Sequence, residues 1–124
     1  MNAMIEANLK AIQGRMHAAA QRSGRDPAGV TLVAVTKSVG LSEVQTLYAL
    51  GVRHFGENRP ELCGEKVAAL PPDAQWHLIG NLQRRKVKLA LPLFSRIDAV
   101  DRVELLDALE ARCAEAGLSR EILV

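Results

Sequence analysis

The sequence predicts an α/β protein built on a parallel sheet, and three observations predict it. Short β-branched, apolar runs alternate strictly with segments of helical periodicity. The runs begin near residues 30, 52, 75, 96 and 121, at spacings of 22, 23, 21 and 25, the length of one strand plus one crossover helix. The chain is 48% hydrophobic but only 3% aromatic, so its core must be aliphatic, as in sheets covered by helices.

Each element follows from local chemistry. Ile5, Leu9, Ile12 and Met16 recur at helical intervals, so residues 3–22 form an amphipathic helix, stopped by Ser23-Gly24 and the turn Arg25-Asp26-Pro27-Ala28-Gly29. Val30 to Val35 reads as a strand buried on both faces. Ser42 as N-cap with Gln45 three residues on opens the next helix, with Val44, Leu47 and Tyr48 as its stripe and Gly51 as its stop. Val52 to Phe55 is the second strand, and Gly56-Glu57-Asn58 its exit loop. Pro60 starts a helix running to about Leu70, broken by Pro71-Pro72-Asp73. Gln75 to Ile79 is the third strand, Gly80-Asn81 a turn, and residues 82–91 a helix ended by Pro92. Ser95 to Ala99 is the fourth strand. Asp101 with Glu104 caps the helix of Leu105, Leu106, Leu109 and Cys113, which ends at Gly117, and Glu121 to Val124 opens a fifth strand.

Alternation of this kind implies right-handed βαβ crossovers. Five strands do not close a (β/α)8 barrel of the TIM type, which takes about 250 residues. The expectation is therefore one domain over residues 1–124, roughly the first five strands of such a barrel, with a C-terminal half to follow. Unpaired edges on the first and last strands would then invite self-association. The units show no internal repeat.

Composition narrows the function. Sixteen Lys+Arg against fourteen Asp+Glu leave a charge of +2, too mild for a dedicated nucleic-acid surface. An RNA-binding reading built on Arg84, Arg85, Lys86 and Lys88 also lacks stacking partners, with one Trp, one Tyr and two Phe in the chain. No apolar run approaches the roughly 18 residues of a membrane span, and the start has no signal-peptide pattern, so a cytoplasmic protein is expected. Cys63 and Cys113 fit neither a disulfide framework nor a metal site, and read as reduced thiols. His17, His54 and His77 fall on different elements without ligand spacing, so no metal is expected. Walker, dinucleotide and Gly-x-Ser-x-Gly motifs are absent.

Ligands of parallel α/β folds bind at the carboxyl ends of the strands. There stand Thr36-Lys37-Ser38, Gly56-Glu57-Asn58, His77 with Ile79-Gly80-Asn81-Leu82-Gln83, and Asp98 with Asp101. Lys37 follows an unbroken apolar strand, so its amine would emerge from a poorly solvated mouth. Burial favours the neutral amine, the form that attacks an aldehyde. A lysine reaching solvent from a strand end is the plain alternative. His77 beside Trp76 reads equally as a satisfied, neutral core histidine. Gly80-Asn81 at a helix start could meet an anion or simply turn the chain. Asn58 is a plausible helix cap.

Three segments in order, Leu32-Val33-Ala34-Val35-Thr36-Lys37, Phe55-Gly56-Glu57-Asn58 and Trp76 through Lys86, resemble signatures of the pyridoxal phosphate homeostasis proteins, whose fold is similar to the N-terminal barrel of alanine racemase. Ile97-Asp98-Ala99-Val100-Asp101-Arg102 resembles a fourth. The resemblance implies that Lys37 holds pyridoxal 5′-phosphate as an aldimine, with Asn58 and His77 near the cofactor. It implies a binding protein of intracellular vitamin B6 homeostasis that partners a small-molecule cofactor and has no catalytic residues. The family's phosphate-binding loop would lie beyond Val124. The alternatives are an alanine-racemase-like enzyme or a cofactor-free Schiff-base lyase using Lys37. A racemase also needs an opposed acid/base, and Tyr48 is committed to a helix stripe.

Overall fold

Parallel strands laid side by side in chain order dominate the computed structural model, which describes residues 2–124. The elements are α1 (Asn2–Arg22), a 3₁₀ turn (Pro27–Gly29), β1 (Ala34–Val35), α2 (Leu41–Ala49), β2 (His54–Glu57), α3 (Pro60–Ala69), β3 (Gln75–Leu78), a second 3₁₀ turn (Arg84–Lys86) running into the one-turn α4 (Val87–Ala90), β4 (Arg96–Ile97), α5 (Val103–Ala116) and β5 (Glu121–Ile122). The sheet order is β1-β2-β3-β4-β5, with every pair parallel. Successive helices pack on one another, α1 on α2, α2 on α3, α3 on α4 and α4 on α5, as they do when crossovers of one hand lay them along one face of a barrel arc.

The register separates the two faces. Phe55 lies opposite Trp76, Glu57 opposite Leu78, and Leu78 opposite Ile97. Phe55, Trp76, Leu78 and Ile97 are buried and pack on the helices with Val44, Leu82, Leu105 and Leu109. The alternate residues His54, Gly56, His77, Arg96 and Glu121 occupy the other face, which no helix covers.

Several boundaries move from the sequence reading. The first strand is regular only over Ala34–Val35 and is not buried on both faces: Val35 is 55% exposed because its side chain falls on the uncovered face. The second strand starts two residues later than expected and runs through Glu57, which is therefore a buried strand residue and not a loop. Gly40, not Ser42, is the N-cap of α2, because the Glu43 carboxylate reaches back to accept its N–H at 3.0 Å. The helix expected over 82–91 breaks into the 3₁₀ turn and α4. Asp101 does not cap α5; it pairs with the neighbouring Arg102 guanidinium at 2.7 Å. Ile12 is 46% exposed, so only part of the α1 stripe is buried. Gly51 and Gly117 end their helices at positive φ, as the sequence indicates.

Candidate functional site

The ladder hydrogen bonds continue past the regular strands at their carboxyl ends. Thr36 N–H donates to Gly56 O, Ile79 N–H to Glu57 O, and Asp98 N–H to Leu78 O, at 3.0, 2.9 and 2.8 Å. Residues 36–37, 57–58, 79–80 and 98 therefore line one rim. Lys37 begins the turn after β1 and is exposed. In this chain its side chain is open to solvent, on the rim of the sheet. Thr36 beneath it is 1% exposed.

Asn58 is half-buried and presses against Gly80: a Cβ placed on Gly80 would lie 2.7 Å from the Asn58 Cβ. Only glycine permits this approach, which draws the exits of β2 and β3 together. Asn58 does not cap α3. Arg59 occupies the cap position, without a side-chain bond. Nor does Gly80-Asn81 open a helix, so no helix N-terminus is available there for an anion.

His77 is buried in β3, on the uncovered face. Its Nε2 shares a hydrogen bond with His54 Nδ1 at 2.9 Å, and its Nδ1 lies 4.0 Å from Asp98 Oδ2. Two histidines that the sequence places on separate elements are thus neighbours, because β2 and β3 pair. Burial holds the His77 imidazole below its ordinary value; Asp98 opposes this, and His54 and Arg96 reinforce it. Asp98 in turn accepts from Arg96 Nε at 2.9 Å, and Arg96 reaches Glu121 at 3.4 Å.

Tyr48 is at the opposite rim. Its hydroxyl donates to Asp73 Oδ1 at 2.5 Å, next to Arg53, whose guanidinium sits 3.8 Å over the ring. Both contacts fall where β2 and β3 begin, at the far ends of the strands from Lys37. Of the basic run, Lys86 pairs with Glu61 at 3.1 Å and Arg85 donates to Gln83. Among the described residues no group of three or more His, Cys, Asp or Glu side chains could hold a metal, and no helix is long and apolar enough to cross a membrane.

No protein-family model matches the chain. Over 115 residues it is 35% identical to the pyridoxal phosphate homeostasis protein of Pseudomonas aeruginosa, covering 92% of this chain and 50% of that one. Over 117 residues it is 30% identical to the protein of the same name from Aquifex aeolicus, covering 94% and 51%. The chain is a relative of the pyridoxal phosphate homeostasis proteins. It spans about half the length of these curated relatives, a share that fits their N-terminal portion. An unknown protein from Bifidobacterium adolescentis superposes with a TM-score of 0.90 at 28% identity, over 98% of this chain and 54% of that one. PipY of Synechococcus elongatus PCC7942, in a structure with PLP bound, superposes with a TM-score of 0.74 at 38% identity, over 86% of this chain and 50% of PipY.

In this relative of the pyridoxal phosphate homeostasis proteins, sequence reasoning placed Glu57 in an exit loop and missed its buried partners. Glu57 accepts from Thr36 Oγ1 at 2.5 Å and from Lys66 Nζ at 2.9 Å, and Lys66 also donates to Thr36 O at 2.7 Å. The Cys63 thiol donates to Arg59 O at 3.0 Å and faces Glu57 at 3.7 Å. Parity was the available signal: a strand that runs through residue 57 puts Glu57 on the buried side with Phe55, and a buried carboxylate demands a cation from the helix above it.

Proposed function

We propose that this chain is the lysine-bearing, N-terminal part of a single alanine-racemase-like barrel domain that binds pyridoxal 5′-phosphate in the cytoplasm. In this reading it serves vitamin B6 homeostasis without catalytic turnover. The observation that carries it is the exposed amine of Lys37 at the β1 exit, on a fold shared at 38% identity with a PipY structure that holds PLP. The residues present fit the cofactor's chemistry: a free primary amine, the carboxamide of Asn58 along the same rim, and the imidazole of His77 on the open face. When bound, the cofactor supplies an electrophilic aldehyde carbon and a ring that withdraws electrons. Lys37 holds it through the side-chain nitrogen. Asn58 offers a hydrogen bond, and His77, kept neutral by burial, presents a polar edge without adding a charge. The relatives' names describe homeostasis and not an enzyme. The alternative of a racemase finds no support in Tyr48, whose phenol is bound to Asp73 at the far rim.

Incubation with pyridoxal 5′-phosphate, borohydride reduction and peptide mass analysis tests this reading. The cofactor's mass should fall on the Lys37 peptide and vanish in Lys37→Ala. Asn58→Ala should weaken capture modestly, as loss of one neutral hydrogen bond costs about 1 kcal/mol. Labelling spread over Lys10, Lys86 and Lys88, unchanged in Lys37→Ala, overturns the site. Deuterium exchange at the α-carbon of alanine that depends on Lys37 overturns the non-catalytic role.

A further inference from the structure

Glu57 is 4% exposed and lies on the helix side of the sheet, directly beneath the Lys37 turn. Taking an ion pair out of water is unfavourable unless its geometry is good and its remaining hydrogen-bonding capacity is satisfied. Here both conditions hold. The carboxylate accepts from the Thr36 hydroxyl and the Lys66 ammonium, and among the described residues no buried side-chain nitrogen or oxygen is left without a partner. Lys66 divides its donors between Glu57 and the carbonyl of Thr36, at 2.9 and 2.7 Å. That carbonyl belongs to the peptide bond that leads into Lys37.

Thr36 is consequently held at three points. Its N–H donates to Gly56 O, its hydroxyl donates to Glu57, and its carbonyl accepts from Lys66. The residues after it are exposed, and the one further backbone tie in the turn is Val39 N–H to Thr36 O at 3.3 Å. Simple packing of α3 on the sheet does not require this cluster. Apolar side chains of similar volume fill such a space at least as stably as a buried ion pair. The cluster instead fastens one residue, and that residue precedes the amine at the rim.

We propose that Glu57 and Lys66 are positioning residues for Lys37: together they lock Thr36, so that the Lys37 side chain leaves the strand end from a fixed point. The inference rests on the reading of Lys37 as the cofactor lysine. The pair acts on Lys37 through Thr36, to which both residues are hydrogen-bonded. Pre-set placement of a reacting group raises the rate of capture, and loss of that placement lowers it.

Three variants and two readouts test the proposal. The double variant Glu57→Gln/Lys66→Met removes both charges while keeping shape, Lys66→Arg keeps the cation, and Thr36→Val removes only the hydroxyl donor. The first readout needs no cofactor: exchange of the hydrogen-bonded amides of Thr36 and Val39, against Trp76 to Leu78 as internal reference. The second is the rate at which pyridoxal 5′-phosphate is captured on Lys37, trapped by borohydride. In the double variant, exchange at the turn should rise and capture should slow, each by about tenfold, while the reference amides stay protected. Lys66→Arg should restore much of both. Wild-type exchange and capture in a folded double variant overturn the proposal. If the double variant does not fold, Thr36→Val decides by the same readouts, and unchanged values overturn it. Absence of capture on Lys37 in the unmodified chain would sink the cofactor reading instead, and the exchange measurement would still show whether the pair fixes the turn.

Discussion

The two faces of the sheet are built by opposite rules from the same strands. Toward the helices, Phe55, Trp76, Leu78 and Ile97 are at most 3% exposed, and the one carboxylate among them, Glu57, is fully paired. Away from the helices stand His54, His77, Arg96, Asp98 and Glu121 in a polar chain across β2 to β5, beside a Val35 open to solvent. Alternation along a strand makes both faces from consecutive residues, so neighbours such as Phe55 and Gly56, or Trp76 and His77, serve different ends. The helix side carries the stability. The open side gathers hydrogen-bonded polar groups that no helix covers, which suits the face where a ligand is proposed to bind.

The sharpest way to break that division is to truncate one residue on each face. Phe55 is fully buried and stacks on Trp76 with ring centroids 5.0 Å apart. Phe55→Ala should cost about 3–5 kcal/mol of unfolding free energy, enough to abolish most of the stability of a small domain. Val35→Ala, on the open face, should stay within about 0.5 kcal/mol. Urea unfolding of both variants checks this, and equal losses would show that something covers the open face.

Thiol chemistry sharpens the same contrast. Cys63 sits on α3 against Glu57 and is fully buried, whereas Cys113 is half-buried on α5. Burial, aided by the negative charge of Glu57, pushes the Cys63 thiol up from 9.0 to about 12. Only the thiolate reacts, and its fraction falls tenfold for each step of pKa, so near neutral pH Cys63 should alkylate about a thousandfold more slowly than an unperturbed cysteine. Iodoacetamide labelling followed by peptide mass analysis should modify Cys113 first, with Cys63 protected until the chain is denatured. Comparable rates at the two cysteines in the native protein would mean that α3 does not seal Glu57.

The helix side was largely legible in the sequence, since apolar runs and helical stripes report burial directly. Phe55, Leu78 and Ile97 belong to runs expected as strands, and Val44 and Leu109 to expected helices, and all five lie in the core. The open face was less legible. Val30 to Val35 is apolar on both parities, so its pattern implies cover on both sides, yet Val35 has none here. The Glu57–Lys66 pair was hidden because the second strand was expected to end at Phe55, two residues before its actual end at Glu57. Strand boundaries follow hydrogen-bond register, which neighbouring strands set and local composition does not. The pairing of His54 with His77 was out of reach for the same reason, because their separation of 23 positions becomes contact only through the β2–β3 register.

A smaller effect is expected at the rim. The added methyl of Gly80→Ala would meet the Asn58 Cβ at 2.7 Å and its Cα at 3.4 Å, so the β2 and β3 exits must part. Overpacking of this kind costs about 1–3 kcal/mol. Thermal melts should show the loss, and borohydride-trapped capture on Lys37 should weaken with it, because Asn58 moves. A variant as stable as the parent with unchanged capture would remove Asn58 from the proposed site.

The subtlest expected effect comes from the pH response of the open face. His77 is held below its ordinary value chiefly by burial, with His54 and Arg96 acting in the same direction and Asp98 and Glu121 against it. At 2.9 Å, the ring nitrogens of His54 and His77 must place one N–H on one lone pair, so the two imidazoles cannot both be fully protonated in this arrangement. Well above neutrality His77 carries no charge in either the folded or the unfolded chain and favours neither. As pH falls through the ordinary histidine value of about 6.5, the unfolded chain binds its proton first, while folded His77 resists until its own lower value is reached. In that window the unfolded state holds more protons, so stability is full above it and declines as pH falls through it. His77→Gln keeps a polar side chain and removes the titration, so its unfolding free energy should fall less between about pH 7.5 and 5.5 than that of the parent. Urea midpoints at the two pH values measure the difference. Parallel profiles would falsify the assignment.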